Sequence, residues 1–167
     1  MARPRAVDLS IAPACASSLD DINALIARSK SYWPYPREYL ERALPLLVVT
    51  AAYVAQNECF EVRRGAELLA FASLAVQRNG TLLELDYLWV EPRFIRRGAG
   101  TFACRHLIVR ANELGWRELY VLPDPPAKGF YEKLGFVDTG DRVPSRVPNG
   151  PDFSVLRIEL SKVKAGS

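Results

Sequence analysis

The chain predicts a mixed α/β fold, with a mostly antiparallel central sheet flanked by helices. Three observations carry that expectation. Strand-like apolar runs at 59–63, 68–76 and 82–90 follow one another, with the turn pairs Arg64-Gly65 and Asn79-Gly80 between them, which is the pattern of successive hairpins. A helical pattern over 100–114 and a strand-like run over 118–122 come next, then a second helix and two more strands. Both kinds of element interleave within 167 residues, an argument for one layer of sheet with helices packed on it. That length predicts a single domain over residues 1–167.

The elements follow in order. Residues 7–11 read as a short first strand. Ser18-x-x-Asp21 opens a helix as a capping box, and Leu19, Ile22, Leu25 and Ile26 give it an apolar face at spacings of three and four. Pro34 and Pro36, among Tyr32, Trp33 and Tyr35, end it, because proline cannot continue a helical ladder. Residues 37–44 read as helical, and 46–55 are apolar without a decisive period. After the three strands, Ala103, Leu107, Ala111 and Leu114 share a helix face, with Gly115 as the stop. Pro123-Asp124-Pro125-Pro126 is a rigid connector, and Pro126 or Ala127 can open the next helix. Residues 136–139 and 153–160 are the last strands, with a Pro-, Gly- and Arg-rich loop over 141–152.

Composition excludes several classes. The net charge of +3 is too mild for a nucleic-acid face. Six arginines (Arg93, Arg96, Arg97, Arg105, Arg110, Arg117) nonetheless crowd one quarter of the chain, which suits an anionic small ligand better than a polymer. Three scattered cysteines and one histidine offer no metal-ligand spacing, so no metal is expected and a reducing compartment is. Met-Ala-Arg-Pro-Arg lacks the apolar core of a signal peptide. The apolar run 44–54 is too short for a bilayer. A cytoplasmic protein without membrane contact is the expectation.

One stretch concentrates the chemistry. The strand 82–90 runs into Pro92, then Arg93, Arg96, Arg97, Gly98, Ala99, Gly100 and Thr101, and a helical pattern begins at once. This order brings backbone amides, a helix N-terminus and positive charge to one point, which is how a pyrophosphate is held. Side chains at positions 98 and 100 would block the amides or forbid the backbone angles that aim them. A lone Gly-x-Gly is also what any strand-turn-helix uses. A second segment about thirty residues on, Ala127-Lys128-Gly129-Phe130-Tyr131-Glu132-Lys133-Leu134-Gly135-Phe136, changes that balance. Together the two segments resemble the GNAT superfamily of acyl-CoA-dependent N-acyltransferases, specifically over 82–136 and diffusely elsewhere.

The resemblance implies a GNAT fold in which the fourth and fifth strands, here 82–90 and 118–122, part like a V around the acyl-CoA. It implies acetyl-CoA as co-substrate, held by Leu88, Trp89, Val90, Ile95, Arg96, Arg97, Gly98, Ala99, Gly100, Thr101, Asp124 and Tyr131. Two positions depart from the family pattern: Ile95 stands where Gln or Arg is usual, and Asp124 where Asn is usual. Ile95 still has its backbone to lend, whereas a carboxylate cannot donate the hydrogen bond of an amide.

Acyl transfer to an amine requires a proton acceptor, oxyanion donors and a proton for the departing thiolate. An amine of pKa near 10.4 is neutral in roughly one molecule per few thousand at pH 7. The strand period of two puts Glu84 and Asp86 on one face. Asp86 is the first candidate for general base or ammonium anchor, and Glu84 the second. Carboxylates that are solvated or paired with an arginine are the plain alternative. Tyr131 resembles the family's tyrosine that protonates the thiolate, the alternative being a core aromatic beside Phe130 and Phe136. The oxyanion donor would be a backbone amide among Leu88, Trp89 and Val90. By the same resemblance Tyr32, Trp33 and Tyr35, with Tyr39, wall the acceptor site, and packing as a lid is the alternative. Arg142, Arg146 and the loop to Asp152 would form the opposite wall. His106 and Cys104 read as structural. The expected activity is transfer of acetyl from acetyl-CoA to a primary amine, of a small molecule first and of a peptide or protein second. A non-catalytic acyl-CoA-binding module is the rival, and a homodimer stands as an open expectation.

Overall fold

Apolar-polar alternation sets the sheet, and glycines set its turns. In the computed structural model, which describes residues 8–161, the strands are β1 (Ser10–Pro13), β2 (Glu58–Arg64), β3 (Glu67–Gln77), β4 (Leu82–Val90), β5 (Glu118–Val121), β6 (Val137–Val143) and β7 (Phe153–Glu159). They form one seven-stranded sheet in the order β1-β2-β3-β4-β5-β7-β6. The pairs β1–β2, β5–β7 and β7–β6 are antiparallel, and β4–β5 is parallel. The helices are α1 (Leu19–Ser31), α2 (Arg37–Ala43), α3 (Ala51–Gln56), α4 (Ala99–Glu113) and α5 (Lys128–Lys133). The mixed α/β expectation holds. No helix among the described residues is long and apolar enough to cross a membrane.

The chain divides into two compact units: the described residues up to Ser73 with Tyr87–Cys104, and Leu74–Asp86 with the described residues from Arg105. In the first unit, Gly65 (φ +59°) takes the positive-φ corner of the β2–β3 turn. Its core is Ile22 and Ile26 of α1, Val49, Cys59, Phe71 and Tyr87, with Leu19, Leu47, Tyr53 and Trp89 packed against them. Asn23 resolves the ambiguous stretch that follows α2. Its side-chain amide donates to the Val49 carbonyl (2.9 Å) and its oxygen accepts from the Val49 amide (2.8 Å). That clamp separates a 3₁₀ turn (Leu44–Leu47) from α3, which Thr50 caps by accepting from the Tyr53 amide at 3.1 Å.

Three local expectations need correction. The first strand lies at Ser10–Pro13 rather than 7–11, and Val7 falls outside the described residues. Ser18 makes no capping bond to α1. It closes a 3₁₀ turn (Ala16–Ser18), and its hydroxyl meets Cys15 Sγ (3.5 Å) and accepts from Arg63 (3.3 Å). Finally, β6 runs on to Val143, through a bulge between Asp138 and Arg142, into the expected loop.

In the second unit Arg78, Asn79 and Gly80 all adopt positive φ in the β3–β4 turn. Both later helices end in the same way. The Trp116 amide reaches back to the Ala111 carbonyl (3.2 Å) and the Gly115 amide to Asn112 (3.0 Å) around Gly115 at φ +86°, a Schellman C-cap. At the end of α5, Phe136 donates to the Tyr131 carbonyl (3.2 Å) and Gly135 to Glu132 (3.1 Å), with Gly135 at φ +103°. The hydrophobic contact that accompanies such a cap is here Phe136 against Tyr131, centroids 5.5 Å apart. The Tyr-Glu-Lys-Leu-Gly-Phe segment therefore has a structural reason of its own.

Candidate active site

The loop after β4 is built by a proline and a buried ring. The Glu91 amide donates to the Leu69 carbonyl at 2.8 Å. Pro92 then starts a 3₁₀ turn (Pro92–Phe94), in which Phe94 donates to Glu91 (2.8 Å) and Ile95 to Pro92 (3.3 Å). Phe94 is buried beneath the guanidinium groups of Arg64 and Arg93, 4.8 and 5.4 Å from its centroid. Arg93 also pairs with Glu67 at 2.8 Å, so its charge is already used. Ile95 has spent its amide within the turn, which leaves its carbonyl as the backbone group it can offer.

Arg96 (φ +64°) and Gly98 (φ +95°) both stand in left-handed backbone. The first is a strained conformation for a residue with a Cβ, a kind of strain found often at functional sites. The Gly98 carbonyl accepts from the Phe102 amide at 2.9 Å, the first bond of α4, so Gly98 is its N-cap. The amides of Ala99, Gly100 and Thr101 consequently have no acceptor within the helix. They sit at the positive end of a fifteen-residue helix. Arg96 and Arg97 are exposed, and among the described residues neither meets an acidic side chain. Amides without an intrahelical acceptor, a helix N-terminus and two uncommitted cations are the components of a diphosphate site.

In the second unit, alternation along β4 is as expected: Leu83 and Leu85 are buried, and Glu84 and Asp86 half-buried on the other face. The parallel ladder to β5 sets Glu84 opposite Tyr120 and Leu85 opposite Val121, and β5 ends there. Burial pushes the Glu84 carboxyl up from 4.5 to about 7. The Asp86 charge pushes the same way, while a hydrogen bond from Gln77 and the charge of Arg146 pull it down by less. A carboxyl poised near neutrality suits proton transfer at physiological pH. Asp124 caps the 3₁₀ turn (Pro125–Ala127) through its carbonyl, which accepts from Ala127 at 2.8 Å. Tyr131 is buried, its ring edge-on to Phe130 (5.0 Å) and Phe136 (5.5 Å). Arg142 is bound to Asp138 at 3.1 Å, whereas Arg146 is exposed beside the buried Val147.

The aromatic segment divides into two pairs. Tyr32 and Trp33 meet edge to face at 5.0 Å, and Tyr32 is half-exposed. Tyr35 and Tyr39 lie 4.9 Å apart and share the ammonium of Lys30, 4.4 and 5.1 Å from their centroids, with Trp89 at 5.8 Å. Lys30 is only 3% exposed. The cation over a ring face that the aromatics suggested is thus supplied by the chain itself. Sequence reasoning missed Lys30, because a lysine near the end of an amphipathic helix reads as solvated, and it missed the pairing of Arg28 with Glu91 sixty-three residues away. An apolar groove of about 460 Å³ in the first unit, lined by Ile26, Leu44, Leu47 and Val48 among others, contains none of the predicted site residues. No group of three or more His, Cys, Asp or Glu able to hold a metal occurs among the described residues.

A family model described as the acetyltransferase (GNAT) family matches residues 21–136. The chain belongs to that family. As a member it is an acyltransferase. No curated protein matches the sequence. Solved structures share the fold. A GCN5-related N-acetyltransferase from Rhodopseudomonas palustris is 20% identical, with 90% of this chain and 95% of that one covered and a TM-score of 0.78. The PaiA N-acetyltransferase from Thermoplasma acidophilum, solved in complex with coenzyme A, is 16% identical over 90% and 98% of the two chains, at a TM-score of 0.75. The ribosomal-protein-S18-alanine N-acetyltransferase from Escherichia coli is 18% identical over 95% and 98%, at 0.68. The GNAT membership and fold implied by the two sequence segments are borne out.

Proposed function

We propose that this chain transfers an acetyl group from acetyl-CoA directly to a primary amine, that of a small molecule. The observation that carries the reading is the loop at 96–101. Gly98, at φ +95°, starts α4 and leaves the first amides of the helix, those of Gly100 and Thr101 among them, without an intrahelical acceptor beside the exposed Arg96 and Arg97. The complex of the T. acidophilum structure with coenzyme A supports the same ligand class.

In this reading the amine nitrogen attacks the thioester carbonyl, the C–N bond forms and the C–S bond breaks. Glu84 takes the amine's proton, with Asp86 as the neighbouring charge that holds the ammonium. This reverses the order expected from sequence, and the support is the raised Glu84 carboxyl. Amides of Leu88, Trp89 and Val90 stabilise the oxyanion, and Tyr131 donates a proton to the thiolate. Because Lys30 occupies the ring faces of Tyr35 and Tyr39, the acceptor wall falls to Tyr32 and Trp33. Apolar and aromatic amines fit that wall better than polyamines. One catalytic domain and a cytoplasmic setting belong to the same proposal. A peptide or protein amine is the second reading, favoured by the ribosomal-protein substrate named for the E. coli structure.

The test is thiol release from acetyl-CoA across a panel of aromatic amines, aliphatic amines, spermidine and peptide N-termini. Release dependent on an aromatic or apolar amine supports the proposal, and a peptide-only response selects the second reading. Tight acetyl-CoA binding without turnover on any amine would instead mark a non-catalytic binding module.

A further inference from the structure

Two cations in the last turn of α1 grip the residues on either side of Val90. Arg28 Nε donates to both Glu91 carboxylate oxygens (3.1 and 3.2 Å), and its Nη2 donates to Oε2 at 2.7 Å. Two residues on, the Lys30 ammonium lies 5.8 Å from the Trp89 ring centroid. The Glu91 side chain is 9% exposed and that of Arg28 53%. Glu91 is therefore fixed at three points: its carboxylate to α1, its amide to Leu69 (2.8 Å), and its carbonyl to the Phe94 amide (2.8 Å). Five residues further on, Arg96 must hold a left-handed conformation, which persists only where the surroundings over-determine it.

We propose that Arg28 is a positioning residue for the diphosphate loop: its bidentate pair with Glu91 fixes where the loop starts and neutralises a buried carboxylate that would repel the diphosphate. The inference rests on the acetyl-CoA reading above and adds to it a residue outside the loop. It also fixes an order among variants. Arg28→Met loses the latch and uncovers a buried negative charge. Glu91→Gln loses the latch alone. Arg28→Lys keeps the charge but gives up the fork.

The experiment measures acetyl-CoA affinity by calorimetry, the melting temperature of the ligand-free protein, and KM and kcat for the parent and four variants. If the loop without its latch is binding-competent about one-tenth of the time, apparent affinity falls about ten-fold. Arg28→Met should therefore raise Kd and KM for acetyl-CoA about ten-fold or more, and Arg28→Lys and Glu91→Gln by less. Turnover at saturating acetyl-CoA should stay within about two-fold of the parent. The double variant Arg28→Met/Glu91→Gln should bind better than Arg28→Met alone, because no orphan carboxylate remains. Lower melting temperatures with unchanged acetyl-CoA affinity would overturn the inference and leave a purely structural ion pair. Should Arg28→Met fail to fold, Arg28→Lys and Glu91→Gln decide by the same comparison. If the parent itself does not bind acetyl-CoA, the reading of the loop fails first and the positioning role falls with it.

Discussion

Glu84→Gln should make this protein more stable at alkaline pH and less active there. The carboxyl is raised from 4.5 to about 7, chiefly by burial and secondarily by Asp86. The folded protein thus holds the proton more tightly than the unfolded chain does. Its contribution to stability is fully present below 4.5, declines as pH rises, and is gone above about 7. The interval from 4.5 to about 7 corresponds to about 3 kcal/mol at 1.36 kcal/mol per pH unit. Partial exposure of the side chain screens part of this, so about 2 kcal/mol is the working figure. A glutamine of nearly the same volume removes the charge and keeps a group that can bond Gln77. At pH 8 the variant should melt higher than the parent by about 4–8 °C, and near pH 4.5 the two should coincide. Melting curves from pH 4.5 to 9 read this directly, and the difference between the two proteins isolates Glu84 from every other carboxyl. In the same range the parent's kcat/KM should rise with pH through about 7, and the variant should lose that limb. A stability difference that does not change with pH would rule out a buried, proton-holding Glu84. It would mean that the Glu84 carboxyl is ordinarily hydrated.

Other outcomes follow from the same geometry. Gly98→Asp should abolish acetyl-CoA binding and Gly98→Ala should weaken it, since position 98 needs φ +95°; thermal shift with acetyl-CoA reads both, the parent gaining about 2.7 kcal/mol at one hundred times Kd. Tyr131→Phe keeps the ring between Phe130 and Phe136, so it should bind acetyl-CoA nearly normally and lose about ten- to a thousand-fold in kcat; full activity would end the proton-donor role. Gly135→Ala puts a Cβ at φ +103°, 3.4 Å from Ile158 Cδ1, and should cost about 1–2 kcal/mol by denaturant unfolding. Trp33→Ala should raise KM for the amine and leave that for acetyl-CoA unchanged, a split visible in two-substrate kinetics.

What was legible in the sequence was whatever short-range physics writes there. The period of two in β4, the hairpin glycine at position 65 and the helix stop at Gly115 are decided within a few residues, and each stands where expected. The loop at 96–101 belongs to the same class, because a glycine N-cap after a proline turn is a local device. The end of β6 was illegible for a related reason. It is an exposed edge strand of Asp, Thr, Gly and Arg, so no buried face imposes a pattern on it. Ser18 shows the limit of a motif. Its hydroxyl meets the nearby Cys15 and accepts from the distant Arg63, in place of the helix amide a capping box would have used. Glu91 is a charged residue buried against a partner sixty-three residues away, and Lys30 packs on the distant Trp89 as well as on Tyr35 and Tyr39; no local pattern records the long-range contacts. The Lys30 contacts are also what divides the aromatic segment, giving Tyr35 and Tyr39 to Lys30 and leaving Tyr32 and Trp33.

In the proposed complex, backbone amides at the start of α4 hold the diphosphate of coenzyme A. Amide nuclear magnetic resonance on ¹⁵N-labelled protein observes those groups one by one during a titration with coenzyme A. The largest chemical-shift changes should fall on Gly98, Ala99, Gly100 and Thr101 and saturate together. Saturable binding that leaves these four amides unmoved would contradict it.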